Sequence, residues 1–190
     1  EIVTGFRFTY EGAQNYYGVV PDLCTLGKII GGGFALAAIA GRADIMVHFD
    51  KAKVGADRFL VQLGTLSGAP VAAVAGLKTM EVLRRDGQYD QLRANGERLM
   101  ASFSKHLSAA GHDHQIVGEP WLFDVLFTTR PVKNYRDVMQ ADAARNARFN
   151  TALRERGVFK SPGKVYPSLA LTMDDLALVD DAIAHAVRVL

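Results

Sequence analysis

The stretch Leu26-Gly27-Lys28-Ile29-Ile30-Gly31-Gly32-Gly33 decides the reading of this chain. One lysine stands among apolar residues, and three glycines follow after two isoleucines. Lysine is rarely buried unless it is paired, and a run of glycines carries a large entropic penalty on folding. Such a pattern calls for a reason, and three are available. A Walker phosphate loop needs glycine five residues before Gly27 and Ser or Thr after the lysine; Asp22 and Ile29 stand there instead. A dinucleotide fingerprint fails too, because Leu36 occupies the third glycine position. A strand-end lysine that snorkels to water is the plain structural reading. The remaining reading is a Schiff-base lysine. Apolar surroundings disfavour the ammonium and free the amine as a nucleophile, and small neighbours let the backbone approach a flat ring. Pyridoxal phosphate is the usual partner of such an amine.

The rest of the composition is that of a globular protein. In 190 residues, apolar types make up 49% and charged types 22%, enough to bury a core. The formal net charge is +2 and the basic residues are scattered, so neither nucleic acid nor a membrane surface is implied as partner. Cys24 is the single cysteine, which rules out an internal disulfide and fits a reducing, cytoplasmic setting. No apolar run reaches membrane-spanning length and no signal peptide is visible. The chain starts at Glu1 in "EIVTGF", which reads as the interior of a fold, so a fragment is expected.

Along the chain, Ile2-Val3 is expected to end a strand and Thr4-Gly5 to break it. Leu23 to Leu26 reads as a short buried strand, and Phe34 to Ala40 as a strand covered on both faces. Ala43 to Met46 opens a helical turn, and residues 48–63 read as a loop. Pro70 suits the first turn of a long, mostly buried helix carrying Val71, Val74 and Leu77, closed by Asp86-Gly87. Tyr89, Leu92, Leu99, Phe103 and Leu107 recur at helical spacing. Leu122 to Phe127 and Ser168 to Leu171 read as strands, and Val138 to Arg156 as one amphipathic helix ended by Gly157. Thr172 and Asp175 form a capping-box pattern for the last helix. The alternation favours an α/β architecture, with a boundary near residue 85 between residues 1–85 and a small α+β domain at 86–190.

Five segments in order carry a family resemblance: Thr4-Gly5-Phe6-Arg7, Gly12 through Leu23, Leu26 through Gly33, Gly41 through Met46, and Gly64-Thr65-Leu66-Ser67-Gly68. Together they resemble the class III pyridoxal-phosphate-dependent aminotransferases, most of all the branch of glutamate-1-semialdehyde 2,1-aminomutase. The likeness is dense over residues 1–85 and looser beyond, where Gly157 to Pro162 and Ser168 to Thr172 still look like the family's C-terminal domain. It implies the type I fold of such transferases, here the end of the large domain plus the small C-terminal domain.

By that resemblance Lys28 is the Schiff-base lysine, which also moves the proton between the substrate's alpha carbon and the cofactor. Ile2 matches the aliphatic residue packed on one ring face; a plain core residue is the alternative, and both imply burial. Gly64 and Thr65 match the segment that reaches the cofactor phosphate of the neighbouring subunit, which implies a homodimer. A cap for the helix after Pro70 is the alternative for Thr65. The family's ring-nitrogen aspartate precedes the position of Glu1, so these residues alone are not expected to build a complete site. Gly163 to Tyr166 is shorter than the aminomutase loop and lacks its glutamate. That favours transamination between an amino donor and a keto acid or aldehyde over the intramolecular mutase reaction. A truncated, non-catalytic piece or interaction module is the reading from another class. His112-Asp113-His114 reads as a polar turn rather than a metal site. Arg7 and Arg42 can hold a substrate carboxylate or surface ion pairs. Trp121 reads as a packing residue and Cys24 as buried and inert.

Overall fold

The computed structural model describes all 190 residues, as two compact units, Glu1–Tyr89 and Asp90–Leu190. In the first unit, residues 1–11 form consecutive turns; no strand forms at Ile2-Val3. Helix α1 (Ala13–Tyr17) follows and ends on Gly18 in the left-handed region. Strand β1 (Leu23–Leu26) pairs antiparallel with β2 (Ala38–Gly41), Leu23 opposite Gly41 and Leu26 opposite Ala38. The ribbon is not buried as its apolar sequence suggested. β1 alternates exposed and half-buried residues, and β2 is exposed throughout. Phe34 to Ala37 lies outside the strand, and two strands alone cannot cover their own faces.

Helix α2 (Ala43–Met46) runs on into a 3₁₀ turn (Val47–Phe49), and α3 (Lys51–Val54) is capped by the Asp50 carboxylate, which accepts from the Ala52 N–H. The expected loop at 48–63 therefore contains short helical turns. Helix α4 (Pro70–Leu83) has Pro70 in its first turn. Val71, Val74 and Leu77, expected inside, are exposed; the buried positions are Ala72 and Gly76. The helix packs through its small residues, so its large apolar ones face away.

The second unit holds the main core. Helix α5 (Gln88–Ala109) runs into it and buries Leu92, Leu99, Phe103 and Leu107, the residues its periodicity selects. Strand β3 (Gln115–Glu119), which polar Gln115 and Glu119 concealed, pairs antiparallel with β4 (Leu122–Leu126). The helix expected over 138–156 is replaced by two: α6 (Tyr135–Val138), opened by an Asn134–Asp137 capping box, and α7 (Ala143–Glu155), started by Asp142. Two separate cap residues explain the break. Ser168 to Leu171 forms a turn, not a strand. Helix α8 (Met173–Ala186) begins with the expected Thr172–Asp175 capping box. Phe103, Phe123, Phe127 and Phe149 meet edge to face at the centre, with Leu107, Leu153 and Ile183 wholly buried.

Candidate functional site

Strand β1 delivers the chain to Lys28. Gly27 is extended, and Lys28 then takes φ +48°, a left-handed conformation that disfavours any residue with a Cβ. Such strain is of order 1–3 kcal/mol and persists only where surrounding contacts enforce it. The contacts are visible. Lys28–Gly31 forms one 3₁₀ turn, and Ile30 is buried in it. A Cβ on Gly32 would meet the Ala75 carbonyl oxygen and Thr79 Oγ1 of α4, each at 2.6 Å. From the other side, a Cβ on Gly76 of α4 would overlap the Ile30 carbonyl oxygen. Glycine at Gly32 and Gly76 thus lets the turn and the helix meet backbone to backbone. Helix docking explains Gly32, where the sequence suggested approach to a ring.

The Lys28 side chain is exposed, and its Nζ makes no hydrogen bond or ion pair. The apolar enclosure expected from its neighbours is not supplied by these residues: Ile30 is buried in the 3₁₀ turn while Lys28 is exposed. Ile2 lies beside it: a Cβ on Gly27 would stand 3.3 Å from Ile2 Cγ2. Ile2 is 49% exposed rather than buried, because it faces an open cavity of about 610 Å³. Thr25 and Leu26 of β1, Ile39 of β2, and Met46, Phe49 and Phe59 line the same cavity. Its β1 wall ends two residues before Lys28.

Gly64 and Thr65 lie in an exposed segment. They are not among the cavity's lining residues, although Ser67 and Gly68 just after them are. Thr65 is not the cap of α4: Ala69 holds that position, and no side chain caps the helix. The Thr65 hydroxyl makes no hydrogen bond within the chain.

Glu1 has a structural task. Its carboxylate accepts the Ala13 N–H at 3.0 Å and the Gln14 N–H at 2.7 Å, capping α1 from twelve residues upstream. Arg42 donates to Asp22 and bidentately to Asp44, and these carboxylates, Asp44 foremost, raise its already high pKa. Arg7 donates to the Val3 carbonyl. Cys24 is half-buried rather than enclosed. His112 Nε2 pairs with the Val187 carbonyl and its Nδ1 with Arg145, so the ring is taken up by contacts within the fold. Trp121 is buried, as expected of a packing residue.

An unpaired amine on an enforced backbone, an apolar cavity adjoining its strand and an unused hydroxyl fit a flat, carbonyl-bearing, phosphorylated ring. The sequence left Gly76, Phe49 and Phe59 unnoticed, and marked Met46 only as the end of a helical turn. An isolated glycine within a helix can signal close backbone approach. Phe49 and Phe59 sit in a stretch with no periodicity to single them out.

Comparison with known proteins follows the same direction. The chain matches the profile of the family described as Aminotransferase class-III over residues 1–187. It is 37% identical over 189 residues to glutamate-1-semialdehyde 2,1-aminomutase of Neisseria meningitidis serogroup C, covering all of this chain and 43% of that protein. Among solved structures it resembles an omega-transaminase from Sphaerobacter thermophilus, with TM-score 0.89 and 33% identity over 98% of this chain and 42% of that one. It also resembles a β-phenylalanine aminotransferase from Variovorax paradoxus, with TM-score 0.80 and 29% identity over 96% of this chain and 42% of that one. The chain thus spans less than half the length of each. No helix is long and apolar enough to cross a membrane.

Proposed function

Because this chain belongs to the class III aminotransferase family and carries part of its α/β type I fold, we propose that it serves pyridoxal-phosphate-dependent transamination through Lys28. The acceptor is a keto acid or aldehyde. Residues 1–85 then supply the last part of the cofactor-binding large domain, and residues 86–190 the small domain. The observation that carries this reading is the unpaired Lys28 amine, held at the end of β1 on a left-handed backbone.

In this reading Lys28 Nζ would hold the cofactor, and as a free amine it would take and return the proton at the substrate's alpha carbon. The bound cofactor supplies an electron-withdrawing ring that accepts the carbanion's charge. Ile2 rests against Gly27 and offers an apolar surface to one ring face. Gly64 and Thr65 offer a backbone amide and a free hydroxyl to a phosphate, in the neighbouring subunit of a homodimer. Met46, Phe49 and Phe59 give the cavity an apolar lining.

The intramolecular aminomutase reaction is the second reading, supported by the 37% identity to such an enzyme. The short loop at Gly163 to Tyr166 favours transamination. The test is borohydride reduction of the intact protein with pyridoxal phosphate, followed by peptide mapping. A reduced adduct on Lys28 is expected; an intact protein that binds the cofactor without modifying Lys28 overturns the assignment. Product analysis with separate donor and acceptor distinguishes transamination from mutase activity.

A further inference from the structure

Of the eight lysines, seven are exposed and one, Lys160, is half-buried. It stands in the second unit, in the wall of a cavity of about 180 Å³ lined by Leu99, Phe103, Val158, Leu171 and Val179. Its amine donates to the Ser161 carbonyl at 2.9 Å and to the Pro162 carbonyl at 3.3 Å and has no further partner. The nearby carboxylate is already engaged. Asp124 is buried, with Oδ1 accepting the Val125 N–H at 2.8 Å and Oδ2 paired with Lys164 Nζ at 3.2 Å.

A neutral amine has two N–H bonds and one lone pair. The Ser161 carbonyl takes one N–H, and the Pro162 carbonyl, which also accepts from Asn146 and Asn150, takes a second at longer range. An ammonium would carry a third N–H that no group of the chain receives, beside an apolar wall and without a counterion of its own. The loop is held in place independently of Lys160. Asn146 and Asn150 of α7 both donate to the Pro162 carbonyl, at 2.9 and 3.1 Å. The groups with charge or a titrating proton that face this amine are Asp124 from β4 and Lys164 and Tyr166 from its own loop.

We propose that Lys160 is a second nucleophilic amine of this protein, a modification site for small uncharged aldehydes that enter the apolar cavity beside it. The nitrogen lone pair attacks the aldehyde carbon, the C=O π bond opens, and a proton passes from nitrogen to oxygen. The resulting carbinolamine loses water to leave a C=N bond. Burial pushes the Lys160 ammonium down to about 8; Asp124 opposes the shift and Lys164 adds to it. The site is chemically separate from Lys28, and the inference does not depend on the function proposed above.

The test is competitive labelling of the intact protein, loaded with pyridoxal phosphate. A trace of isotopic propanal with cyanoborohydride labels the native protein near neutral pH. Complete labelling after denaturation then normalises each lysine. Lys160 is expected to label about tenfold faster than exposed Lys105 and Lys133, because lowering an amine by more than two pKa units raises its neutral fraction by about a hundredfold, part of which its lower basicity takes back. Its rate should level off at lower pH than theirs. A Lys160 rate equal to or below that of the exposed lysines, or the same pH midpoint as theirs, overturns the proposal. Labelling of Lys28 leaves this comparison unaffected, so failure here and failure of the Lys28 assignment are read on different peptides.

Discussion

The carbonyl oxygen of Ile30 occupies the space that a side chain on Gly76 would need. Only Ile29 separates Ile30 from Lys28, so the surface of α4 sets the height of the turn that presents the amine. Gly76→Ala would force turn and helix apart. A destabilisation of about 1–3 kcal/mol is expected by chemical denaturation, as for overpacked cores. Cofactor retention should fall as well. An alanine variant of wild-type stability would show that the turn yields easily, and would remove Gly76 as a positioning residue.

Lys28→Ala should abolish transamination by the intact protein while changing stability by less than about 0.5 kcal/mol, since the side chain is exposed and unpaired. Lys28→Gly should be equally inactive but more stable than the alanine variant, by up to about 1 kcal/mol, because glycine relieves the left-handed strain. Thermal denaturation of the pair checks the strain; turnover checks the role.

Thr65→Ala should weaken cofactor retention without altering the melting of α4, which takes nothing from the Thr65 hydroxyl. Loss of a hydrogen bond to a charged phosphate is worth about 1.5–3 kcal/mol. Equilibrium dialysis of the cofactor measures it, and unchanged affinity returns Thr65 to the solvent.

Asp180 of α8 accepts from Ser102 Oγ at 2.5 Å and meets His106 Nε2 at 3.0 Å, both on α5. The Ser102 hydroxyl chiefly, with His106 and Lys105, holds the Asp180 carboxyl below its ordinary value against the opposing effect of burial. Its folded pKa is thus lower than its unfolded one. The stability it contributes is complete above the unfolded value, about 3.9, and is lost as pH falls through the folded value. The side chain is 38% exposed, so solvent screening keeps the effect small. Asp180→Asn should lower stability near neutral pH and flatten the acid limb of the denaturation profile. An unchanged acid limb would assign the acid sensitivity elsewhere.

Phe149 is fully buried and touches Phe103 and Phe127 edge to face. Phe149→Ala should destabilise the second unit by about 3–5 kcal/mol, read from its denaturation transition.

Sequence alone determined the elements whose signals are local. The spacing of Leu92, Leu99, Phe103 and Leu107 marks the buried face of α5, because a helix repeats every 3.6 residues whatever it packs against. Thr172 and Asp175 announce α8 by satisfying its first N–H groups. Lys28 stood out because an amine among apolar residues and glycines needs a reason. Burial could not be read the same way. The apolar residues at Val71, Val74 and Leu77 promised an inner face, yet α4 docks through Ala72 and Gly76, because two backbones meet only where side chains are absent. The strand at Gln115–Glu119 carried too few apolar residues to be seen without its partner β4. Tertiary structure alone decided that Lys28 is left-handed and unpaired, that Glu1 caps a helix, and that Asp124 is claimed by Lys164, leaving Lys160 without a counterion. Each of these depends on which distant residue arrives within hydrogen-bonding reach, and that is settled by packing across the chain, not by spacing along it.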